Sequence, residues 1–295
     1  MRYRLININL AQGKNDLKIS IAVPSYNYGR FLKTCLESIS MQNHSDYEVL
    51  IADGGSTDES IEIIKNFCLL DERFKFVSTS DKGQSDAIMK VFSDATGDVF
   101  CFLNADDCFI CKDALSSVVS AFNNYPEVSI VNFNGYYINA KGNYIKPVRL
   151  RYHPLDNVGL MKYRSAVLQP ATFWKRVVQE KTPMLVNSHY VFDALFFYQA
   201  YSNFSWIELS KPLAGHRLHG KNKSLQINFD RINELAKFEG VKFGTNSFRS
   251  IYLHIVSYVV FVFEKIPVFG WLLNRIVYII INSISFLTYY RFPSI

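Results

Sequence analysis

The chain has 295 residues, of which 49% are hydrophobic and 20% charged, so it can bury a sizeable core and is not intrinsically disordered. Thirty-two Lys and Arg against 26 Asp and Glu leave a net charge of +6. That charge is too small for a dedicated nucleic-acid-binding protein, so no nucleic acid is expected as a partner. Aromatic residues make up 15% of the chain, which is high enough to make a membrane contact worth seeking.

The cysteines and the first residues indicate the compartment. Five cysteines cannot all pair within one chain, and they lie in apolar runs, which is typical of reduced thiols in the cytosol. Cys108 and Cys111 form a CxxC pair, but no second pair or histidine cluster accompanies it, so a zinc site is not expected. Residues 1–17 lack the long apolar stretch of a secretory signal. We therefore expect a cytosolic protein.

Between residues 18 and 134, short apolar runs alternate with segments whose apolar residues recur at helical spacing. Ser56 and Glu59 have the spacing of a capping box that would open the second helix. The order predicts an α/β fold with a doubly wound, mostly parallel sheet, in which ligands bind beyond the carboxyl ends of the strands. The predicted strands cover residues 18–23, 47–52, 74–77, 98–103 and 128–133. The predicted helices cover residues 29–41, 56–68, 85–93 and 112–123.

Two later stretches differ in composition from this first part. Residues 141–183 hold nine Lys or Arg against two acidic residues, which predicts either a solvated face or a surface for anionic substrate or lipid head groups. Near the C-terminus, two apolar stretches cover Ile251–Phe263 and Val268–Leu287, and Arg275 interrupts the second. Neither holds an uninterrupted run long enough to span a bilayer. We expect a hydrophobic, helical, membrane-associating tail of interfacial or re-entrant helices, with a packed helical tail as the alternative.

Polar motifs follow each of the first four predicted strands directly. Because parallel strands bring their carboxyl ends to one edge of a sheet, we expect these motifs to lie together although they are far apart in the sequence. In chain order they are Pro24-Ser-Tyr-Asn27, Asp53-Gly-Gly-Ser-Thr-Asp58, Asp81-Lys-Gly-Gln-Ser-Asp86 and Asn104-Ala-Asp-Asp107.

The four motifs, in this order and at strand ends, resemble those of a family 2 glycosyltransferase with the GT-A fold, the group that builds bacterial surface polysaccharides. The resemblance covers about two thirds of the chain. It implies an N-terminal extension over residues 1–17, a GT-A catalytic domain over 18–224, and a helical, membrane-associating region over 225–295. Within the catalytic domain, residues 18–134 would form the nucleotide-sugar half and residues 135–224 the acceptor half.

The resemblance implies a nucleotide-diphosphate sugar as donor, with a UDP-sugar expected. A nucleotide base needs an aromatic face and a carboxylate that accepts its imide N–H; by similarity, Tyr26 supplies the first and Asp53 the second. Gly54 would let the backbone approach the nucleotide closely. The other donor-side positions that the resemblance implies are Pro24, Lys82, Asp86, Asn104, Ala105 and Arg217.

The departing diphosphate carries negative charge, which a divalent cation held by carboxylate oxygen neutralises well. In the family a DxD-type motif supplies the carboxylate, and its last Asp aligns with Asp106, so Mn²⁺ or Mg²⁺ is the expected cofactor. The first position of the motif is Asn104, which contributes no charge. In relatives a later His can complete the metal shell, and by similarity His219 takes that role while Arg217 contacts phosphate.

An inverting transferase also needs a base that takes the acceptor hydroxyl's proton as its oxygen attacks the anomeric carbon. The family carries an acidic residue for this purpose at the start of a helix, after a Pro-Thr-Phe-type stretch that Gln169-Pro-Ala-Thr-Phe-Trp174 fills here. Asp193 is the only carboxylate between Glu180 and Glu208 and is therefore the leading candidate. A helix-capping or salt-bridged role for Asp193 is the alternative.

The resulting hypothesis is a metal-dependent inverting glycosyltransferase, peripheral at the cytoplasmic face of the cell membrane, that acts on a glycan or lipid-linked acceptor. Two alternatives remain. A non-catalytic membrane-bound partner of another transferase is conceivable because Asn104 and a lone Asp193 weaken the family pattern. A nucleotidyltransferase would need a Gly-rich loop with Arg and Lys after the first strand, and Pro24-Ser-Tyr-Asn27 lacks one.

Overall fold

The computed structural model describes most of the first 264 residues. Strand β1, residues 2–6, is described by its backbone alone. The described residues are 2–6, 16–148, 167–184, 188–220, 222, 229–243, 245–246 and 248–264.

All strands of the described residues join one sheet. They are β1 (Arg2–Ile6), β2 (Ile19–Ser25), β3 (Tyr47–Asp53), β4 (Phe74–Ser78), β5 (Val99–Phe102), β6 (Cys108–Phe109), β7 (Ile130–Ile138), β8 (Tyr144–Pro147), β9 (Thr172–Lys175) and β10 (Trp206–Arg217).

Four of the described helices precede β7 and four follow it. They are α1 (Gly29–Ser40), α2 (Ser60–Leu70), α3 (Gln84–Phe92), α4 (Ala114–Asn124), α5 (Arg176–Lys181), α6 (Phe192–Asn203), α7 (Phe229–Phe243) and α8 (Phe248–Glu264).

The main path of the sheet has the strand order β1-β10-β7-β9-β5-β2-β3-β4. Strands β5, β2, β3 and β4 are parallel, as the alternating pattern predicts. However, β9 runs antiparallel between β5 and β7, and the short strands β6 and β8 are also antiparallel to their partners. Among the described strands, five pairings are parallel and four short ones are antiparallel, so the sheet is mostly parallel with antiparallel additions. The sheet also includes β1, which pairs with β10. Strand β1 belongs to residues 1–17, the segment expected to be an extension outside the catalytic domain.

The α/β prediction succeeds where burial is continuous. All seven residues of β2 and all seven of β3 are buried, which is why these strands appear in the sequence as apolar runs. The predicted capping box is wrong, because α2 begins at Ser60 and no side chain caps it. Ser56 instead donates its hydroxyl to Asp53.

An aromatic cluster joins the first half of the chain to helix α6. Trp174 of β9 is fully buried, and its ring lies 5.0 Å from that of Phe196 and 5.8 Å from that of Phe197, centroid to centroid. On its other sides lie Phe92 and Phe102, each with a centroid distance of 6.3 Å. Packing against one buried indole thus connects α6 to α3 and β5.

The C-terminal helices α7 and α8 pack against each other. Leu253 and Val256 of α8 are buried in the core, and the Ser250 hydroxyl donates to the Ala236 carbonyl of α7 at 3.1 Å. This part of the tail is helical as expected, and one of its faces is packed. No helix among the described residues is long and apolar enough to cross a membrane. The second predicted apolar stretch, residues 268–287, lies outside the described residues.

Candidate active site

One cavity of about 620 Å³ opens where the motifs converge at the ends of β2 to β5. It brings together side chains from all four motifs and from the segment that begins α6. The predicted site residues that line it are Pro24, Tyr26, Gly54, Lys82, Asn104, Ala105, Asp106 and Asp193. Four predicted residues, Asp53, Asp86, Arg217 and His219, do not line it.

The loops after β2 and β3 are held together by hydrogen bonds. The side-chain oxygen of Asn27 accepts the backbone N–H of Thr57 at 2.8 Å, and the Asn27 N–H donates to the Ser56 hydroxyl at 2.8 Å. Asn27 has a φ of 56°, a left-handed conformation that Asn tolerates better than most residues. The first two motifs therefore form one rigid wall of the cavity.

Asp53 anchors its own loop instead of facing the cavity. The carboxylate is 2% exposed, and it accepts the N–H groups of Gly55 and Ser56 and the hydroxyls of Ser56 and Ser78 at 2.5–3.0 Å. An oxygen pair with four such donors has little capacity left for a ligand. The structure therefore does not support the predicted contact of Asp53 with the base.

Asp81 is the carboxylate beside Tyr26 in this wall. A methyl group on Gly54 would lie 2.9 Å from Asp81 Oδ2 and 3.4 Å from Tyr26 Cδ2, so the glycine makes room for both side chains. The second oxygen of Asp81 accepts the Gly83 N–H at 2.8 Å. Asp81 belongs to the third motif, but the sequence gives no sign of which of its two aspartates faces the ligand.

The other aspartate of that motif, Asp86, lies in the first turn of α3. It accepts the Lys82 N–H at 3.0 Å and forms an ion pair with Lys90 at 3.0 Å. These contacts lower the pKa of the Asp86 carboxyl, first through the Lys82 backbone N–H and then through Lys90. Asp86 thus shapes the loop that presents Lys82, which lines the cavity.

Asn104 belongs to a network of amide side chains. Its oxygen accepts from Gln84 Nε2 at 2.5 Å, and its Nδ2 donates to Gln169 Oε1 at 3.2 Å. The Gln169 amide donates in turn to the Phe102 carbonyl. At this position a carboxylate could not donate to Gln169, so the uncharged residue suits the network. Gln84 and Gln169 line the cavity and received no role from the sequence.

Asp106 and His219 form a buried carboxylate–imidazole pair. Asp106 Oδ2 lies 2.9 Å from His219 Nε2 and 3.4 Å from the Asn222 amide nitrogen. The pKa of Asp106 is raised to about 6, chiefly because burial disfavours the charged form and also because Asp107 repels a second negative charge. Tyr28, which also lines the cavity, has a pKa raised to about 12 by burial and by both aspartates. This corner therefore carries an excess of buried negative charge.

Arg217 lies behind the Asp106 loop and does not face the cavity. It is 2% exposed, and its guanidinium donates to the backbone carbonyls of Asp106, Asn139 and Ala140. The backbone N–H of Arg217 donates to the Asp107 carboxylate at 2.8 Å. The predicted phosphate contact is thus not supported, because the guanidinium is used to hold the turn that carries the acidic pair.

The Asp106–His219 pair fits a divalent cation. A carboxylate oxygen and an imidazole nitrogen converge where negative charge is buried, and a cation there would relieve the repulsion between Asp106 and Asp107. Two protein ligands are few, and no group of three or more His, Cys, Asp or Glu suited to a metal occurs in the described part of the chain. Mg²⁺-type sites, however, commonly take most of their ligands from substrate phosphates and water.

Asp193 lies in the first turn of α6, and its side chain is partly exposed to the cavity. Its Oδ1 accepts the Ala194 N–H at 2.8 Å, so it takes part in the helix start without being buried. Two residues just before it, His189 and Tyr190, also line the cavity. They were not predicted, because nothing in their spacing distinguishes them.

A mixed α/β sheet with an aromatic ring, carboxylates and a lysine around one cavity beyond its strand ends is typical of nucleotide-dependent enzymes. The chain belongs to glycosyl transferase family 2: the model of that family matches residues 20–180, which is more than half of the chain. The resemblance stated from the four motifs is therefore confirmed.

Curated relatives match this chain over only part of their own length. An uncharacterized glycosyltransferase of Nostoc sp. is 34% identical over 117 residues, which are 39% of this chain and 36% of that protein. A PGL/p-HBAD biosynthesis glycosyltransferase of Mycobacterium bovis is 38% identical over 102 residues, 34% of this chain and 40% of that protein. The matched part is thus well under half of either relative.

Solved structures show the same fold at low identity. S. aureus TarS 1–349 in complex with UDP-GlcNAc has a TM-score of 0.61 at 16% identity, covering 82% of this chain and 72% of that chain. The mannosyltransferase PcManGT from Pyrobaculum calidifontis, in complex with GDP-Man and Mn²⁺, has a TM-score of 0.58 at 16% identity, covering 85% and 72%. These neighbours confirm a GT-A-like fold.

Proposed function

We propose that this protein transfers a sugar from a nucleotide-diphosphate donor to a hydroxyl of a glycan or lipid-linked acceptor, with inversion at the anomeric carbon. The observation that carries the proposal is one cavity lined by Tyr26, Asp81, Lys82, Asp106 and Asp193. It combines an aromatic face, cation-binding oxygen and a candidate base. The structural neighbours that bind UDP-GlcNAc and GDP-Man add support for a nucleotide-sugar donor.

On the donor side, each wall residue has a chemical task. Tyr26 is 59% exposed, so its ring is free to stack on a nucleotide base, and the adjacent Asp81 carboxylate accepts the imide N–H that a uracil base offers. Lys82 supplies positive charge to the diphosphate. A Mn²⁺ or Mg²⁺ ion held by Asp106 and His219 would supply the counter-charge that stabilises the leaving diphosphate.

On the acceptor side, Asp193 takes the proton of the attacking hydroxyl. The acceptor oxygen forms a bond to the anomeric carbon while the bond from that carbon to the donor phosphate oxygen breaks, and the electron pair leaves with the diphosphate. The carboxylate at the start of α6 is partly exposed to the cavity and is therefore accessible to a substrate hydroxyl. A base placed in this way is worth about 10²–10⁴-fold in rate.

The proposal includes a peripheral position at the cytoplasmic face of the cell membrane. Helix α8 buries one face against α7 and leaves apolar side chains exposed on another. These are Phe248, Ile251, Ile255 and Tyr258, which are 48–72% exposed. We define these four residues as the α8 stripe. Its large apolar and aromatic side chains suit an interfacial contact, which would bring a lipid-linked acceptor near the cavity.

The proposal is tested by binding and transfer in sequence. UDP, GDP and other nucleoside diphosphates are screened for thermal stabilisation with and without Mn²⁺; a ligand at 100 times its Kd adds about 2.7 kcal/mol to stability. The matching nucleotide sugars are then tested for transfer to acceptor extracts. Stabilisation by a Mn²⁺–nucleotide pair followed by sugar transfer supports the proposal. Binding without turnover favours the non-catalytic partner, and absence of binding contradicts the donor site.

A further inference from the structure

The start of α6 is held by a residue from the C-terminal helical pair. Glu234 of α7 is 9% exposed, and its two oxygens accept four hydrogen bonds from the segment immediately before α6. The donors are the Ser188 hydroxyl at 2.8 Å and the N–H groups of His189 at 2.8 Å, Tyr190 at 2.8 Å and Val191 at 3.2 Å. We call residues 188–191 the Asp193 loop.

Residues next to this loop in the sequence do not provide a side-chain cap that would hold it in place. The residue at the N-terminal boundary of α6 is Val191, whose side chain has no oxygen, and no side-chain cap is formed. Helix starts leave N–H groups that need acceptors, and a carboxylate near a helix N-terminus is also favoured by the helix dipole. Glu234 supplies both acceptors and charge, 43 residues after Val191 in the chain.

The other side of the Asp193 loop touches the donor-side wall. The Ser85 hydroxyl donates to the Ser188 carbonyl at 3.2 Å. The His189 ring lies so close to Gly83 that an added methyl group there would clash with it. Thus Glu234 holds, from behind, a loop whose front closes the cavity against the loop that carries Asp81 and Lys82.

We propose that Glu234 is a positioning residue for the transfer reaction, fixing the Asp193 loop so that the Asp193 carboxylate meets the acceptor hydroxyl. The inference rests on the proposed function, because it assigns Asp193 as the base. A buried carboxylate is costly to retain unless it is hydrogen-bonded, and the four hydrogen bonds that the described residues give Glu234 all come from the segment that sets the direction of α6. Helix α7 therefore takes part in positioning the candidate base.

The test compares Glu234→Gln and Glu234→Ala with Asp230→Asn, which removes an exposed carboxylate one turn earlier on α7. We expect kcat for transfer to fall about 10²-fold in Glu234→Ala, the effect of a small misplacement of a reacting group, and less in Glu234→Gln. The Kd for the nucleotide and the KM for the donor should stay unchanged. Asp230→Asn should match the wild type in every measurement.

A double variant separates positioning from general destabilisation. If Glu234 acts through Asp193, adding Glu234→Gln to Asp193→Asn should slow transfer no further than Asp193→Asn alone. Three outcomes would each overturn the inference. These are additive losses in the double variant, a weakened nucleotide affinity that accounts for the whole loss of rate, and a wild-type kcat in Glu234→Gln. If Glu234→Ala does not fold, Glu234→Gln and Ser188→Ala, which removes one of the four donors, provide the same comparison.

Amide hydrogen exchange distinguishes failure of this inference from failure of the proposed function. The N–H groups of residues 189–191 should be protected in the wild type and should exchange faster in Glu234→Gln. A wild-type chain that binds no nucleotide and transfers no sugar would remove the proposed function, and the positioning role with it, even where the protection is seen. A transferring wild type whose residues 189–191 are unprotected would overturn the Glu234 inference alone.

Discussion

The two sides of the cavity are held in different ways. On the donor side, the loops after β2, β3 and β4 are fixed mainly by their own residues or by the neighbouring loop: Asp53 binds its own turn, Asp81 binds Gly83, and Asn27 binds Thr57. On the acceptor side the anchors are remote in sequence, since Glu234 holds the loop before Asp193. The first three donor loops thus form from local motifs, whereas the loop before Asp193 depends on the packing of the C-terminal helices.

This difference predicts where substitutions act. A change on the donor side should alter ligand binding through a contact that lies within the motif itself. A change on the acceptor side should alter turnover, and it can do so from a residue far from the reacting atoms. The predictions below test the two sides, from the largest expected effect to the smallest.

Asp106→Ala is expected to have the largest effect, with metal-dependent transfer abolished because the leaving diphosphate loses its counter-charge. Initial rates at saturating Mn²⁺ measure this, with Asp94→Asn as a control that removes an exposed carboxylate elsewhere. Retention of more than about a tenth of wild-type activity, less than 1.4 kcal/mol of the barrier, would show that the cation site lies elsewhere.

Asp193→Asn should leave nucleotide binding unchanged while transfer falls by about 10²–10⁴-fold, the usual contribution of a positioned base. The side-chain volume is nearly unchanged and Oδ1 still accepts the Ala194 N–H, so the fold should be retained. Single-turnover rates and nucleotide titration check both parts. A wild-type rate of transfer would show that another carboxylate acts as the base, and Glu208 would be examined next.

Asp81→Ala and Asp53→Ala should have opposite signatures. Loss of Asp81 should weaken nucleotide binding by roughly 1.5–3 kcal/mol, the scale of a hydrogen bond to a charged group, with little change in Tm. Loss of Asp53 leaves buried N–H and hydroxyl donors without their acceptor, so Tm should fall first. Calorimetric titration and thermal unfolding of both variants are the measurements, and the reverse pattern would restore Asp53 to the base contact.

The sequence predicts the donor half because its information is local. Strands β2 to β5 are short apolar runs, and their motifs follow immediately, so both fold and site could be placed together. The direction of individual side chains could not be predicted. Asp53, Asp86 and Arg217 bind backbone groups of this chain, because unsatisfied N–H and C=O groups compete with the ligand for their side chains. Strands β9 and β10 were not predicted either, and β10 contains Pro212 and two register shifts against β7, which interrupt a strand pattern.

The C-terminal helix α7 shows why remote contacts cannot be found in this way. Nothing in residues 229–243 indicates that Glu234 faces the loop before Asp193 and not solvent. Its role follows only from the way α7 packs, against α8 and through the contact of the Phe238 ring with Tyr198 of α6. Tertiary structure, and not spacing, determines which carboxylate of an amphipathic helix is buried.

The charge of the acidic corner predicts a pH dependence. Because the pKa of Asp106 is raised to about 6 by burial and by Asp107, protons compete with the cation, and Mn²⁺ affinity at pH 5 should be about tenfold weaker than at pH 7. In the absence of metal, folding stability should change with pH in the opposite direction to the Mn²⁺ affinity. The raised pKa favours the protonated folded state, so stability is lost as pH rises through about 6.

Both pH trends, that of the metal-free stability and that of the Mn²⁺ affinity, can be measured, with Asp106→Asn as the reference for stability. Urea unfolding in chelator at pH 5 and pH 7 should show a smaller difference in this variant than in the wild type, because the titrating carboxyl has been removed. Calorimetric titration of Mn²⁺ into the wild type gives the opposite trend with pH. Equal Mn²⁺ affinities at both pH values would show that Asp106 is not the ligand.

The smallest expected effect concerns the proposed contact of the α8 stripe with membrane head groups. Ile251→Ser with Ile255→Ser should weaken binding to anionic vesicles by about three- to tenfold, because two half-exposed side chains transfer only part of their apolar area. Both residues face away from α7, so Tm and nucleotide binding should be unchanged. The matched control is Leu253→Ser, which changes a buried residue of the same helix and should lower Tm. If the stripe variant pellets with vesicles as the wild type does, α8 is not the contact. If it lowers Tm as much as Leu253→Ser, the stripe is a packed surface and the interfacial prediction is wrong for this helix.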